Sequence, residues 1–126
     1  MKKLISMTTL VAAVALAGCA TMDTSPVKTM DGVLVGANGM TLYTFDRDVA
    51  GSGKSVCNGP CATNWPPLMA AADAKASGDW TIVTRDDGSK MWAYKGKPLY
   101  TFAKDTKPGD TTGDGFLNGA WHMAKP

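Results

Sequence analysis

One tetrapeptide occurs twice in this chain. Leu42-Tyr43-Thr44-Phe45 returns as Leu99-Tyr100-Thr101-Phe102, and Asp48 returns as Asp105, at a common shift of 57. Gly39 and Gly96 keep that shift, whereas Asp31-Gly32 against Asp87-Gly88 and Trp65 against Trp121 stand 56 apart, so one residue slips within the unit. Two copies are too few to stack as a solenoid, in which each unit covers its neighbour's apolar face. The units must close on each other. This predicts one pseudo-symmetric domain over residues 31–126, with repeat 1 at about 31–68 and repeat 2 at about 80–125.

Each unit consists of short runs rich in Val, Thr, Tyr and Phe, cut by glycine turns, which is the pattern of strands and hairpins. Strands are expected over Gly32–Val35 and Thr41–Phe45, joined through Ala37-Asn38-Gly39. Further strands are expected over Trp80–Thr84, Lys90–Tyr94, Leu99–Phe102 and Ala120–Met123. Helix is expected only as a turn near Cys61–Trp65 and a short piece at Ala70–Ala76. All eleven acids are aspartate, and fourteen glycines and seven prolines accompany them. These residues favour turns over helices. The expected fold class is therefore all-β: a small single domain of antiparallel strands and hairpins with little helix.

The first eighteen residues stand apart from this pattern. Lys2 and Lys3 precede the apolar run LISMTTLVAAVALA, which is short for a membrane span and has the form of an export signal. It ends in Leu16-Ala17-Gly18-Cys19, which resembles the lipobox of bacterial lipoproteins, in which the cysteine sulfur is acylated. Residues 19–30 then read as a lipidated cysteine and a flexible tether. Cleavage after Gly18 removes two of thirteen basic residues and leaves eleven against eleven acids. A balanced charge gives no electrostatic footprint for nucleic acid. The remaining cysteines, Cys57 and Cys61, form an even pair in an exported chain and read as one disulfide closing CNGPC. Because that loop is short, the bond would mainly shape a turn.

The paired motif Tyr-x-Phe-x-x-Asp, YTFDRD at Tyr43–Asp48 and YTFAKD at Tyr100–Asp105, resembles a family of bacterial lipoproteins named for a Tyr-x-(Phe/Trp/Tyr)-x-x-Asp motif. That family is also described as a secreted repeat of unknown function, usually present in two copies. CNGPCATNWPPL and DGFLNGAWHMAKP continue the two copies in a similar way. The resemblance spans about residues 31–125 and implies a lipid-anchored, exported domain with no established activity. Physical chemistry gives the motif a role of its own. On a strand, Tyr43 and Phe45 share one face, as do Tyr100 and Phe102. Asp48 and Asp105 then fall at strand ends, where a carboxylate accepts loop N–H groups. The alternative is a two-fold carboxylate site built from both aspartates.

Several chemistries compete for the remaining residues. Gly51-Ser52-Gly53-Lys54-Ser55 resembles the end of a phosphate loop, but Asp48 occupies the opening glycine position and no helix can follow at once through Val56–Cys61. ATP binding is not expected. Cys57, Cys61 and the single histidine His122, with Met123 beside it, form a candidate copper set, because thiolates and imidazole are copper ligands; oxidised cysteines would not serve. Asp110–Gly115 has part of a calcium-loop pattern, but Trp121 stands where a bidentate glutamate is needed. A nucleophile with a base beside it is not recognisable, and His122 is the only histidine. Trp65, Trp80, Trp92 and Trp121 read as core, unless an exposed pair binds a glycan or a partner protein.

These readings predict an exported, lipid-anchored envelope protein that is not an enzyme and carries no cofactor. Its partners would be the membrane, through Cys19, and an envelope protein or glycan. Ala20 follows the acylated cysteine, and by resemblance to lipoprotein sorting this favours the outer membrane, facing the periplasm.

Overall fold

A computed structural model describes residues 27–126. The export signal, Cys19 and residues 20–26 lie outside the described residues. The elements are β1 (Val27–Met30), β2 (Val33–Gly36), β3 (Tyr43–Phe45), α1 (Pro60–Asn64), β4 (Trp80–Thr84), β5 (Lys90–Tyr94), β6 (Lys97–Pro98), α2 (Phe116–Gly119) and β7 (Trp121–Met123). All pairings between strands are antiparallel: β1 with β2, β3 with β7, and β4-β5-β6 in order. The all-β class and the two-unit architecture are as the sequence predicts.

The hairpins follow their turn chemistry. Between β4 and β5, Asp87 accepts both the N–H and the hydroxyl of Ser89, and Gly88 takes φ 86°. The Ser89 hydroxyl, followed by its N–H, holds the exposed Asp87 carboxyl below the usual range. Between β1 and β2, the Asp31-Gly32 turn occupies the left-handed region. β1 corrects the tether reading, because Val27–Met30 pairs in full register with Val33–Gly36. It is the repeat-1 counterpart of β4.

Two other expectations are corrected. Leu99–Phe102 is extended but is no ladder strand, because its backbone divides its bonds among three partners. Leu99 donates to Trp92, Tyr100 to Tyr43, and Thr101 to Pro66. Ala70–Ala76 is not helical: it is mostly exposed, carries no apolar stripe, and runs from an Ala70–Lys90 bond into a turn between Ala71 and Ala74.

The repeats close by exchanging their tails. In the first, Leu42 N–H donates to Leu34, Leu34 to Ala124, and Ala124 back to Leu42. In the second, Leu99 donates to Trp92, Trp92 to Leu68, and Leu68 back to Leu99. Each ring of three therefore takes its third member from the other repeat. Between the rings, Tyr43 and Tyr100 bond reciprocally, N–H to carbonyl, at 2.7 and 2.9 Å. This pair marks the pseudo-two-fold axis.

The core is built across that axis. Trp65 and Trp121 stack with centroids 3.7 Å apart and planes 3° from parallel. Phe102 covers the outer face of Trp65 at 4.1 Å, and Phe45 that of Trp121 at 4.2 Å. The result is a four-ring pile, Phe45–Trp121–Trp65–Phe102, in which each phenylalanine lies on the other repeat's tryptophan. Such contacts add to the area that these rings bury.

Candidate functional site

The repeated motif forms two clasps. The Tyr43 hydroxyl donates to Asp105 Oδ2 at 2.7 Å, and the Tyr100 hydroxyl donates to Asp48 Oδ2 at 2.5 Å. All four residues are buried. Each tyrosine thus reaches the aspartate of the opposite repeat. The second oxygen of each carboxylate closes its own loop, as expected: Asp48 Oδ1 accepts from Val56 N–H at 2.8 Å, and Asp105 Oδ1 from Thr112 N–H at 3.0 Å. The Thr112 hydroxyl also donates to Asp105, and the Gly113 N–H donates to the Tyr43 hydroxyl. No shared two-fold carboxylate site is formed, since each carboxylate is committed to its own clasp.

Burial, and then the hydrogen bond to Asp105, pushes the Tyr43 hydroxyl well above its usual range. Burial and Asp48 do the same for Tyr100. Both remain neutral donors. Burial raises the Asp48 carboxyl, against opposing contributions from the Tyr100 and Val56 hydrogen bonds and the Arg85 charge. A neutral hydroxyl held against a buried carboxylate is a satisfied structural pair.

Arg85 was not singled out by the sequence reading. It is 6% exposed near the Tyr100–Asp48 clasp and donates to the Cys57 carbonyl at 2.7 Å, to Ser55 Oγ at 3.1 Å and to Asn58 Oδ1 at 3.1 Å. Ser55 Oγ in turn lies 2.5 Å from the Tyr100 hydroxyl. A buried polar chain therefore runs from Arg85 through Ser55 and Tyr100 to Asp48. Its sequence signal is weak: the arginine opens a β-turn, a position that usually faces solvent.

The other candidates take ordinary positions. Cys57 and Cys61 are disulfide-bonded, so neither is a free thiolate. His122 lies on β7 opposite Thr44, and its Nε2 is 2.9 Å from Asp46 Oδ2, with both side chains about half exposed. Such a pair contributes little. Among the described residues, no group of three or more His, Cys, Asp or Glu side chains could hold a metal ion. The structure therefore does not assemble the copper set of Cys57, Cys61, His122 and Met123. In the calcium-like stretch, Asp110 accepts from Thr106 and Lys107, and Asp114 from Met123 N–H. Gly51–Ser55 leads into an irregular segment, with Gly51 N–H bonded to the Gly96 carbonyl. Trp65, Trp92 and Trp121 are buried and Trp80 is half-buried. Tryptophan thus provides no exposed pair among the described residues, and no described helix is long and apolar enough to cross a membrane.

Two of the openings among the described residues adjoin residues discussed above. One of about 520 Å³ is polar and includes His122, Asp46, Lys95, Lys97 and Lys125. The other, of about 260 Å³, lies against the ring pile at Trp65, Phe102 and Trp121 and is walled by Phe116 and Leu117.

The two units can also be compared with known families. Residues 25–69 and 81–125 each match the family described as a secreted repeat of unknown function. The chain belongs to that family. Each matched segment carries one Tyr-x-Phe-x-x-Asp motif and one tryptophan of the central stack, so this secreted-repeat protein contains the two halves of one clasped core. No curated protein and no solved structure matches it.

Proposed function

We propose that this chain is an exported, lipid-anchored module of the bacterial cell envelope that binds or scaffolds rather than catalyses. One observation carries the non-enzymatic reading: Asp48, Asp105, Tyr43 and Tyr100, the polar residues of the repeated motif, are buried and hydrogen-bonded to one another across the repeats. Catalytic groups need a substrate within hydrogen-bond reach, and these are committed to the core. The half-buried disulfide fits an oxidising compartment, and membership of a secreted family fits export.

Anchoring rests on Leu16-Ala17-Gly18-Cys19 following Lys2, Lys3 and the apolar run. Cys19 carries the lipid, residues 20–26 span from it to β1, and Ala20 directs the protein to the outer membrane, facing the periplasm. The protein needs no cofactor on this reading and binds neither nucleic acid nor ATP. Its partner is an envelope protein or glycan. The test is labelling with radioactive palmitate in cells. Labelled wild-type protein in the outer-membrane fraction, with no label on Cys19→Ala, is the expected result. Unlabelled wild-type protein that is released in soluble form would reject the anchor.

A further inference from the structure

The 260 Å³ cavity beside the ring pile has walls of an unusual kind. Both faces of Trp65 and both faces of Trp121 are covered by stacked rings. What these indoles offer the cavity is therefore their edges, the electropositive part of an aromatic ring. Trp121 Nε1 is also the one buried side-chain nitrogen or oxygen without a hydrogen-bond partner among the described residues. A buried donor left unmet costs about 1–3 kcal/mol.

The rim adds charge. Lys104 is the only charged residue on the lining; it is exposed, and it joins no ion pair among the described residues. Asn64 lies on the same lining. On the same lining, Phe116 and Leu117 are 40% and 54% exposed on α2, where Leu117 and Asn118 hold φ 55° and 57°. The left-handed region costs a bulky residue about 1–2 kcal/mol. Phe116 nonetheless stays edge-on to Trp65 at 5.7 Å and tilted against Phe102 at 5.4 Å. Two apolar side chains are thus kept at the mouth of an apolar cavity at a backbone cost.

We propose that this cavity is a binding site for a small carboxylate with an apolar body of about one ring. The aromatic walls and Leu117 take the body, and Lys104 on the rim takes the anionic head. The proposal rests on the binding-module reading and gives that module a ligand class. Failure of Cys19 labelling would remove the anchor alone, whereas failure here would remove this site alone.

The test uses ¹⁵N-labelled exported protein in detergent and follows the four tryptophan indole N–H signals as benzoate is added, with protein-free micelles as the blank. A saturable shift of the Trp121 signal is expected. Benzyl alcohol should bind about three- to five-fold more weakly, since an exposed ion pair is worth up to about 1 kcal/mol. Lys104→Gln should weaken benzoate binding by a similar factor. Arg47→Gln, at the pseudo-symmetric position over Phe45, should leave it unchanged. No saturable Trp121 shift, equal binding of benzyl alcohol, an equal response to acetate, or preference for neutral N-acetylglucosamine would each overturn the proposal.

Discussion

At the scale of single residues, Asp48 is a buried carboxyl whose environment pulls it both ways. Its carboxyl is raised by burial although Tyr100, Val56 and Arg85 all favour the charged form. A carboxyl whose folded pKa lies above its unfolded value stabilises the fold below the unfolded value. That stability is lost as pH rises through the folded value. Wild type measured against Asp48→Asn should therefore show its greatest relative stability in acid and lose it as pH rises above about 4. Urea midpoints for both proteins across that range check this. A relative stability that grew with pH would show the carboxyl to be held down rather than up. Subtracting the two proteins removes the opposite trend from Asp87 and Asp110, whose carboxyls are lowered by turn hydrogen bonds.

At the scale of elements, the loops are placed by contact with the opposite repeat's turns. Gly51 N–H bonds to the Gly96 carbonyl, and a Cβ on Gly96 would meet Gly51 N at 2.6 Å. Pro108, 57 residues after Gly51, lies against Gly39 in the same way, at 3.1 Å from a Cβ built there. Gly96 also has φ 82°, so both space and conformation require glycine. Gly96→Ala should cost about 2 kcal/mol or more. Gly53→Ala, with similar φ and open space around it, should cost about 1 kcal/mol. Thermal unfolding of the two variants separates these contributions, and equal losses would mean that the loop does not press on the Gly96 turn.

The same scale shows where the sequence was legible. β4 and β5 could be read because an apolar-rich pair of runs flanks an Asp-Asp-Gly-Ser turn. β1 was missed because Val-Lys-Thr-Met has no alternating pattern of its own and is mostly exposed. The repeat held the missing signal, since β1–β2 with its Asp31-Gly32 turn matches β4–β5 with Asp87-Gly88. Leu99–Phe102 misled for the opposite reason: its alternation is that of a strand, but its backbone serves Trp92, Tyr43 and Pro66. Local pattern shows which way side chains face, not where backbone bonds end.

At the scale of the whole molecule, the repeat is an interlock. Tails, stacking rings, loops and the Tyr–Asp clasps all cross the pseudo-two-fold axis, so neither unit completes its core from its own residues. The sequence showed two units that close on each other and an aspartate that caps its own loop. It did not show that the tyrosine's partner sits 62 residues away in one clasp and 52 in the other. The clue was chemical. A buried tyrosine hydroxyl needs an acceptor, and one aspartate per copy could supply it. Where the copies differ, function is free to vary: repeat 1 carries the disulfide, and repeat 2 carries Arg85 and the Phe116–Leu117 rim.

The most direct measurement is a pair of double-mutant cycles on unfolding free energy. Tyr43→Phe combined with Asp105→Asn joins the two repeats, and Tyr43→Phe combined with Asp48→Asn stays within one. The interlock predicts a coupling of about 1 kcal/mol or more for the first pair and additivity within about 0.5 kcal/mol for the second. Strong coupling between Tyr43 and Asp48, with none between Tyr43 and Asp105, would place each motif within its own repeat and contradict the account.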